Sequence, residues 1–479
     1  MGQTVARPRL LIVGLSIVVL TVAVLQTAVV PVLGVIADQL HASTVAVSWA
    51  VTANLLAAAA ATPLIGRLAD LYRKKQVLLV VLAVVLAGSI LAAATTSLTL
   101  LIVARVLQAA SFALYPICIA ILREELSADR MVSAMAVLSG TLGFGGGTGL
   151  VVVGLLMSGD AGYHRVFWLT TAFTVLVLVI VLTVVPDRPR ASSGSIDWLG
   201  AGGLAVGLSA LLLAITQGNA WGWMSPRTVA AAAGGVAVLV GWWFWERRAA
   251  RPLVSTRMLA RRSMLFTNLA TIFVGMGLYF AFLGLTQFVQ MDGAVAGYGF
   301  DATVLEASIV YLLPGALTGF LIALVSGRFI DRFGARPVLV VAAVAGIAGF
   351  LLIAFAHAAP WQVIVASILA NAYISLGYGA LPALVVADSD AGETGVATGM
   401  NAIARTIGSS TAAAVVAVLL SRTSAAGTPI ESSFTAIFLG GAGTAMLAMV
   451  LIALSRPRSR ATESDEARYE SRAMNHEWG

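Results

Sequence analysis

Fourteen apolar runs constrain this chain more than any other feature, because each is roughly the 20 residues that a helix needs to cross a bilayer. They cover residues 10–33, 45–65, 76–96, 99–122, 131–157, 166–186, 199–216, 229–245, 264–289, 304–326, 337–356, 361–387, 393–420 and 434–454. In lipid a backbone must satisfy its own polar groups, and uninterrupted runs of this length favour helices over the alternating strands of a barrel. Composition agrees: mean hydropathy is +0.95, and 11% of residues are charged, against about 25% in soluble domains. The first run is too long for a signal-peptide core and lacks a small-residue cleavage site, so it reads as a span. The single Cys118 excludes an intramolecular disulfide framework and a multi-cysteine metal site.

Basic residues set an orientation. With both termini cytoplasmic, inner loops and tails hold 24 of the 29 basic residues; Arg165, Arg227 and Arg422 lie outside, and Arg105 and Arg405 fall within spans. The net charge of +7 is therefore a topology signal and argues against a nucleic-acid partner. Of the basic residues 27 are Arg, which with abundant Ala, Val and Gly points to a GC-rich bacterial genome and a multi-pass protein of the bacterial cytoplasmic membrane.

The inner loop after the second span reads "GRLADLYRKK" (66–75), and a variant, "GRFIDRFGAR" (327–336), follows the tenth. Gly66 pairs with Gly327, Arg67 with Arg328 and Asp70 with Asp331, each pair 261 positions apart. Setting aside spans seven and eight, the loops hold equivalent places in two six-helix halves. Parallel repeats of this kind build many secondary transporters, with the substrate site between the halves. The expected organisation is an all-α polytopic membrane protein: a first bundle over 1–186, a linker and inserted helix pair over 187–262, a second bundle over 263–455, and a disordered cytoplasmic tail over 456–479.

These motifs resemble the fourteen-spanner drug:proton antiporter branch of the major facilitator superfamily over nearly the whole chain. The branch's loop motif, roughly G-x-L-a-D-r-x-G-r-k, is matched by Gly66, Leu68, Asp70, Lys74 and Lys75; Arg73 stands where that pattern has Gly, and the second copy has Gly334. Its fourth-helix motif is matched by Arg105 and Gln108, with Ala109 in place of Gly. Its fifth-helix antiporter motif is matched by Gly145, Gly149 and Gly154, with Leu150 for Pro and Val153 for Gly. "IDWLGAGGL" (196–204) and "GYGFDATVLEASIVYLLPG" (297–315) are similar to the same branch. The resemblance implies two six-helix bundles plus two inserted central helices, alternating access, and export of lipophilic, often cationic compounds in exchange for inflowing protons. It also implies that Asp70 meets the start of span thirteen, near Gly392 to Gly395, as a conformational latch with Gly66, Arg67 and Lys74, and with Arg328 and Asp331 in the second copy. One departure is evident: the branch places an Asp in the first helix, where this chain has Gln26 and Thr27 in "LQTAVVPVLG" (25–34).

Residue spacing suggests where a cavity lies. A charge inside a span normally faces protein or water. Gln108, Phe112 and Tyr115 follow Arg105 at intervals of three, seven and ten, which on an uninterrupted helix puts all four on one side and predicts a cavity stripe. Arg405 shares a face with Asn401 and Gly408, where a structural and a functional reading stand equal. Asn371, Ser375 and Tyr378 form another stripe, and Gln26, Asn54, Asn268, Tyr279, Gln287 and Tyr311 add polar or aromatic points. Together they predict a large, weakly polar cavity for small amphipathic molecules. Glycines 140–154 fit close helix packing; no strand precedes them and no acid follows at the spacing a dinucleotide site needs.

No nucleophile–base constellation is present, His41, His164, His357 and His476 have no metal-ligand spacing, and no nucleotide motif occurs. The expectation is therefore a non-enzyme, a monomer in membrane lipid without metal or cofactor, drawing on a proton gradient. With no acid deep in a span, Asp38, Asp301 and Glu306 are the proton-coupling candidates, and partial burial at the start of span ten would raise the Glu306 pKa. An alternative is an exporter of a lipid or hydrophobic natural product with weak or no proton coupling; another is a non-transporting membrane scaffold or sensor.

Overall fold

Lipid leaves a backbone only itself as hydrogen-bond partner, and each of the fourteen apolar runs carries a spanning helix, the first ending at Thr27, short of the end of its run. The computed structural model describes residues 8–29, 32–157, 162–189, 195–424 and 427–455. Outside them lie the tail 456–479 with His476, and residues 190–194 of the linker. Among the described residues fourteen helices are long and apolar enough to span a membrane, and the only β pairing is an isolated bridge between Thr423 and Pro429.

The first six spans are α1 (Pro8–Thr27), α2 (Thr44–Leu71), α3 (Lys74–Ala94), α4 (Leu98–Glu125), α5 (Ala128–Leu156) and α6 (His164–Val184). Next come α7 (Trp198–Trp221) and α8 (Pro226–Glu246). The last six are α9 (Arg262–Val289), α10 (Ala307–Phe333), α11 (Ala335–Phe355), α12 (Pro360–Asp388), α13 (Thr394–Leu420) and α14 (Glu431–Leu454). A belt of large apolar side chains, including Val80, Val179, Leu321, Val341 and Phe355, faces outward, as expected where lipid replaces water.

Spans seven and eight extend beyond their apolar runs because local polar groups are satisfied. Asp197 caps α7 by accepting the Gly200 N–H at 2.9 Å, and Ser225 caps α8 with Pro226 at its first turn. The polar last turns of α7 are held by its neighbours: Gln217 Nε2 donates to Thr52 Oγ1 at 3.2 Å, and Asn219 Nδ2 to the Ala414 carbonyl at 3.1 Å. Helix α7 thus lies across the seam between α2 and α13, one from each half, with α8 packed outside it.

The two loop-motif copies lie at one end of the helix array, called the basic end below. There Lys74 binds Glu124, and Arg188 forks onto the buried Glu125 at 2.7 and 2.9 Å, tying the first loop to the foot of α4 and to the linker.

Candidate functional site

At the basic end, Asp70 crosses between the halves. Its carboxylate accepts the N–H of Gly395 at 2.8 Å and of Val396 at 3.0 Å, the first turn of α13, and the residue is 3% exposed. An acid on the free N–H groups of a helix start is favoured by both hydrogen bonding and the helix dipole. Gly66 permits the approach: a Cβ there would lie 2.7 Å from the Gly395 carbonyl oxygen. Beside it, Arg123 at the foot of α4 donates to Ser389 Oγ (3.1 Å), the Ser389 carbonyl (3.0 Å), the Asp390 carbonyl (3.3 Å) and Thr394 Oγ1. The contact burdens its acids: burial, with Asp390 adding, raises the Glu393 pKa, while Arg67 and Arg261 oppose. Sequence reading missed Arg123; it counted only as one more basic residue, and nothing local announces a partner more than 260 positions away.

The second copy is built differently. Arg328 and Asp331 are both exposed, so the acid has none of the burial of Asp70. The helix crossing is nonetheless alike, because a Cβ on Gly327 would lie 2.4 Å from Ser133 Cα of α5.

From mid-span toward the opposite end, a cavity of roughly 1100 Å³, its open mouth included, lies between the halves. Gln26, Thr27, Leu55, Phe112 and Gly146 face it from α1, α2, α4 and α5; Tyr279, Phe282, Ala316, Asn371, Tyr378 and Arg405 face it from α9, α10, α12 and α13. The six residues at the start of α10, Ala307–Leu312, form a π turn that sets Leu312 on the wall, a local widening common at functional sites. Gly145 and Gly149 draw α5 onto α1, where added Cβ atoms would meet Leu20 Cδ1 at 2.5 Å and Thr27 Oγ1 at 2.8 Å; Gly154 is looser, 3.7 Å from Leu305. The side chain at 150 lies outside the described residues.

The expected Arg105 stripe requires correction. Arg105 is 2% exposed and off the cavity wall; it donates to the Ala50 carbonyl (3.2 Å), the Leu25 carbonyl (3.3 Å) and Gln108 Oε1 (2.7 Å). Gln108 passes the chain of bonds to Ser89 Oγ at 2.9 Å, and Asn54 Nδ2 bonds the Arg105 carbonyl at 2.7 Å. The reason is a 3-10 segment, Ala109–Ala113, inside α4. At 3.0 rather than 3.6 residues per turn, each residue adds roughly 20° of rotation, about 80° by Phe112. Phe112 therefore turns into the cavity, while Arg105, Gln108 and Asn54 knit α1, α2, α3 and α4 together. Tyr115 is buried, bonds Ser139 Oγ at 2.6 Å, and lies under Arg405 rather than on the wall.

The proton-carrier candidates require a second correction. Asp38, Asp301 and Glu306 are all exposed at the end remote from the basic loops. Glu306 Oε2 accepts the Thr303 N–H (3.0 Å) and its hydroxyl (3.1 Å), the reciprocal cap of a helix start. Ile309 and Val310, one turn on, are themselves exposed, so they do not cover Glu306 and the expected partial burial does not occur.

Two pseudo-equivalent bundles, a cavity drawn from both, and a bonded closure at one end define a multi-pass membrane transporter. The profile of the Major Facilitator Superfamily matches residues 15–413 and 316–475, and the chain belongs to that family. It is 29% identical over 435 residues to a tetracenomycin C resistance and export protein of Streptomyces glaucescens, covering 86% of this chain and 76% of that one. It is 28% identical over 328 residues to a uridine/deoxyuridine transporter of Lactococcus lactis (67% and 68% covered), and 22% identical over 407 residues to multidrug resistance protein 3 of Bacillus subtilis (84% and 78%). Among solved structures, the human organic anion transporter MFSD10 superposes with a TM-score of 0.64 at 16% identity, covering 94% of this chain and all of that one, a likeness of fold. The family and these relatives are transporters, not enzymes.

Proposed function

We propose that this protein exports lipophilic small molecules across the bacterial cytoplasmic membrane by alternating access, as a monomer whose basic end and both termini face the cytoplasm. The observation that carries this reading is the pairing of a two-sided apolar cavity with the Asp70–α13 closure beneath it. Such a pairing is what an outward-facing state requires: cargo space open on one side and a bonded seal on the other. The Arg and Lys bias of the loops supports the orientation, and the resistance and export relatives support the direction.

Proton antiport needs a carboxylate that meets each side in turn. Among the described residues no Asp or Glu lines the cavity, and Asp38, Asp301 and Glu306 sit in the open. This favours the alternative in which proton coupling is weak or absent. The test is efflux of a lipophilic dye from liposomes carrying purified protein, with a pH gradient and a membrane potential imposed separately. The expected result is saturable dye movement that an Asp70→Asn variant loses and that persists without a pH gradient. Equal leakage with protein, variant and empty liposomes would remove the export reading; strict dependence on the pH gradient would restore antiport.

A further inference from the structure

Arg405 is the one charged side chain on the cavity wall among the described residues. It sits eleven residues into α13, roughly 17 Å along the axis, near the middle of a core of about 30 Å. Two glycines fix its height: a Cβ on Gly275 of α9 would lie 2.5 Å from the Arg405 carbonyl oxygen, and one on Gly408 would lie 2.0 Å from the Ile272 carbonyl oxygen. The Arg405 Cζ stands 4.9 Å from the Tyr378 ring centroid and 5.4 Å from that of Tyr115, so one ring comes from each half. Its guanidinium makes no hydrogen bond or ion pair with a described residue, whereas Arg105 spends its donors on two carbonyls and an amide. The wall around it is aromatic and aliphatic (Phe112, Tyr279, Phe282, Leu285), with Gln26, Asn371, Thr406 and Ser409 as neutral polar points.

We infer that the cargo is an amphipathic organic anion, its carboxylate or sulfonate held by Arg405 and its apolar body lying on the Phe112–Tyr279–Phe282 side. This rests on the export reading above and names its substrate class. A guanidinium carries five donors in a planar fork that matches a carboxylate with two parallel bonds, and it stacks on aromatic rings without consuming those donors. Tyr115 and Tyr378 thus hold the fork in place and leave its acceptor positions open to cargo. A cationic cargo would meet an uncompensated like charge with no acid to receive it. An anion leaving a negative cytoplasm also moves with the membrane potential, so net export of this cargo needs no proton carrier, and none lines the wall.

The experiment measures equilibrium binding to the full-length protein in nanodiscs with three matched radiolabelled probes: 1-naphthylacetate, 1-naphthylacetamide and (1-naphthylmethyl)trimethylammonium. Wild type is expected to bind the carboxylate on the order of tenfold tighter than the amide, with the ammonium weakest. Arg405→Gln should erase the carboxylate preference while shifting amide binding by less than about threefold, and Arg405→Lys should keep part of the preference because it keeps the charge and loses the fork. The wild-type order of the probes is itself decisive should a variant fail to fold. Ammonium bound tightest, an undiminished carboxylate preference in Arg405→Gln, or no saturable binding of any probe would overturn the inference. Liposome uptake separates the two readings: Asp70-dependent transport of the amide or ammonium but not the carboxylate leaves export standing without the anion, and no transport of any probe removes both.

Discussion

The two copies of the loop motif share a packing rule and differ in chemistry. Gly66 and Gly327 each let their helix press against a partner in the other half, with the added Cβ 2.7 Å from Gly395 O in one case and 2.4 Å from Ser133 Cα in the other. Beyond the glycines the copies part. Asp70 is buried on the start of α13, and Asp331 is exposed. Gly334 takes a positive φ of 85°, a turn open chiefly to glycine; Arg73 at the matching place has φ −61° and pairs with Asp187 at 3.3 Å. Among the described residues helix α7 packs on the α2–α13 seam. Both copies keep the close helix crossing, and only the first buries its acid.

The largest expected effect breaks that asymmetry at its acid. Asp70→Asn keeps the volume but loses charge-assisted bonds to two N–H groups, about 1.5–3 kcal/mol, or a roughly ten- to hundredfold shift of the closure equilibrium. Dye efflux should fall by at least about tenfold with membrane abundance unchanged, and the exposed Asp331 should lose less as Asp331→Asn, within about twofold of wild type, because water screens its interactions; comparable losses in both would contradict an asymmetry set by burial.

Next come the two membrane arginines. Arg105→Ala strands buried partners at about 1–3 kcal/mol each and should lower the Tm and the amount of protein recovered. Arg405→Ala should leave both near wild type, since no described acceptor depends on it. A thermal-shift assay in detergent reads the contrast, and equal destabilisation would merge the two roles.

Smaller again is Arg123→Ala. It removes four donor contacts to the α12–α13 connection but leaves Asp70 in place, so efflux should drop only several-fold, fewer than the tenfold of Asp70→Asn, by about the worth of a partly exposed charged bond. Smallest is Glu306→Gln, which retains an acceptor for Thr303 and should change efflux by less than about twofold at any imposed pH gradient. A collapse of pH-driven transport in that variant would return Glu306 to the mechanism.

Much of this was readable from residue order. Lipid forces helices on long apolar runs, so the fourteen spans followed from hydropathy, and the repeated Gly-Arg-x-x-Asp located the paired loops. The cavity was half legible: Gln26, Phe112, Asn371 and Tyr378 are on its wall, but Arg105, Gln108 and Asn54 are not. For Arg105 and Gln108 the error came from extending one helical period through Ala109–Ala113, a tighter 3-10 turn that no residue type signals; Asn54, on α2, is drawn off the wall by its bond to the Arg105 carbonyl. Arg405 could not be separated from Arg105 by sequence, because each is a lone cation in an apolar run. What distinguishes them is whether carbonyls from other helices reach them, a property of assembly rather than of spacing. Arg123 was hidden for the same reason.

If the Asp70–α13 contact is made and broken as the halves rock, a distance across the basic end reports it directly. Spin labels at Gln76→Cys and Phe333→Cys, both exposed and one in each half, can be read by double electron–electron resonance in nanodiscs; the native Cys118 is fully buried. A short-distance population is expected in wild type, which Asp70→Asn converts largely to a longer one. A single distribution, identical in wild type and Asp70→Asn, would contradict it.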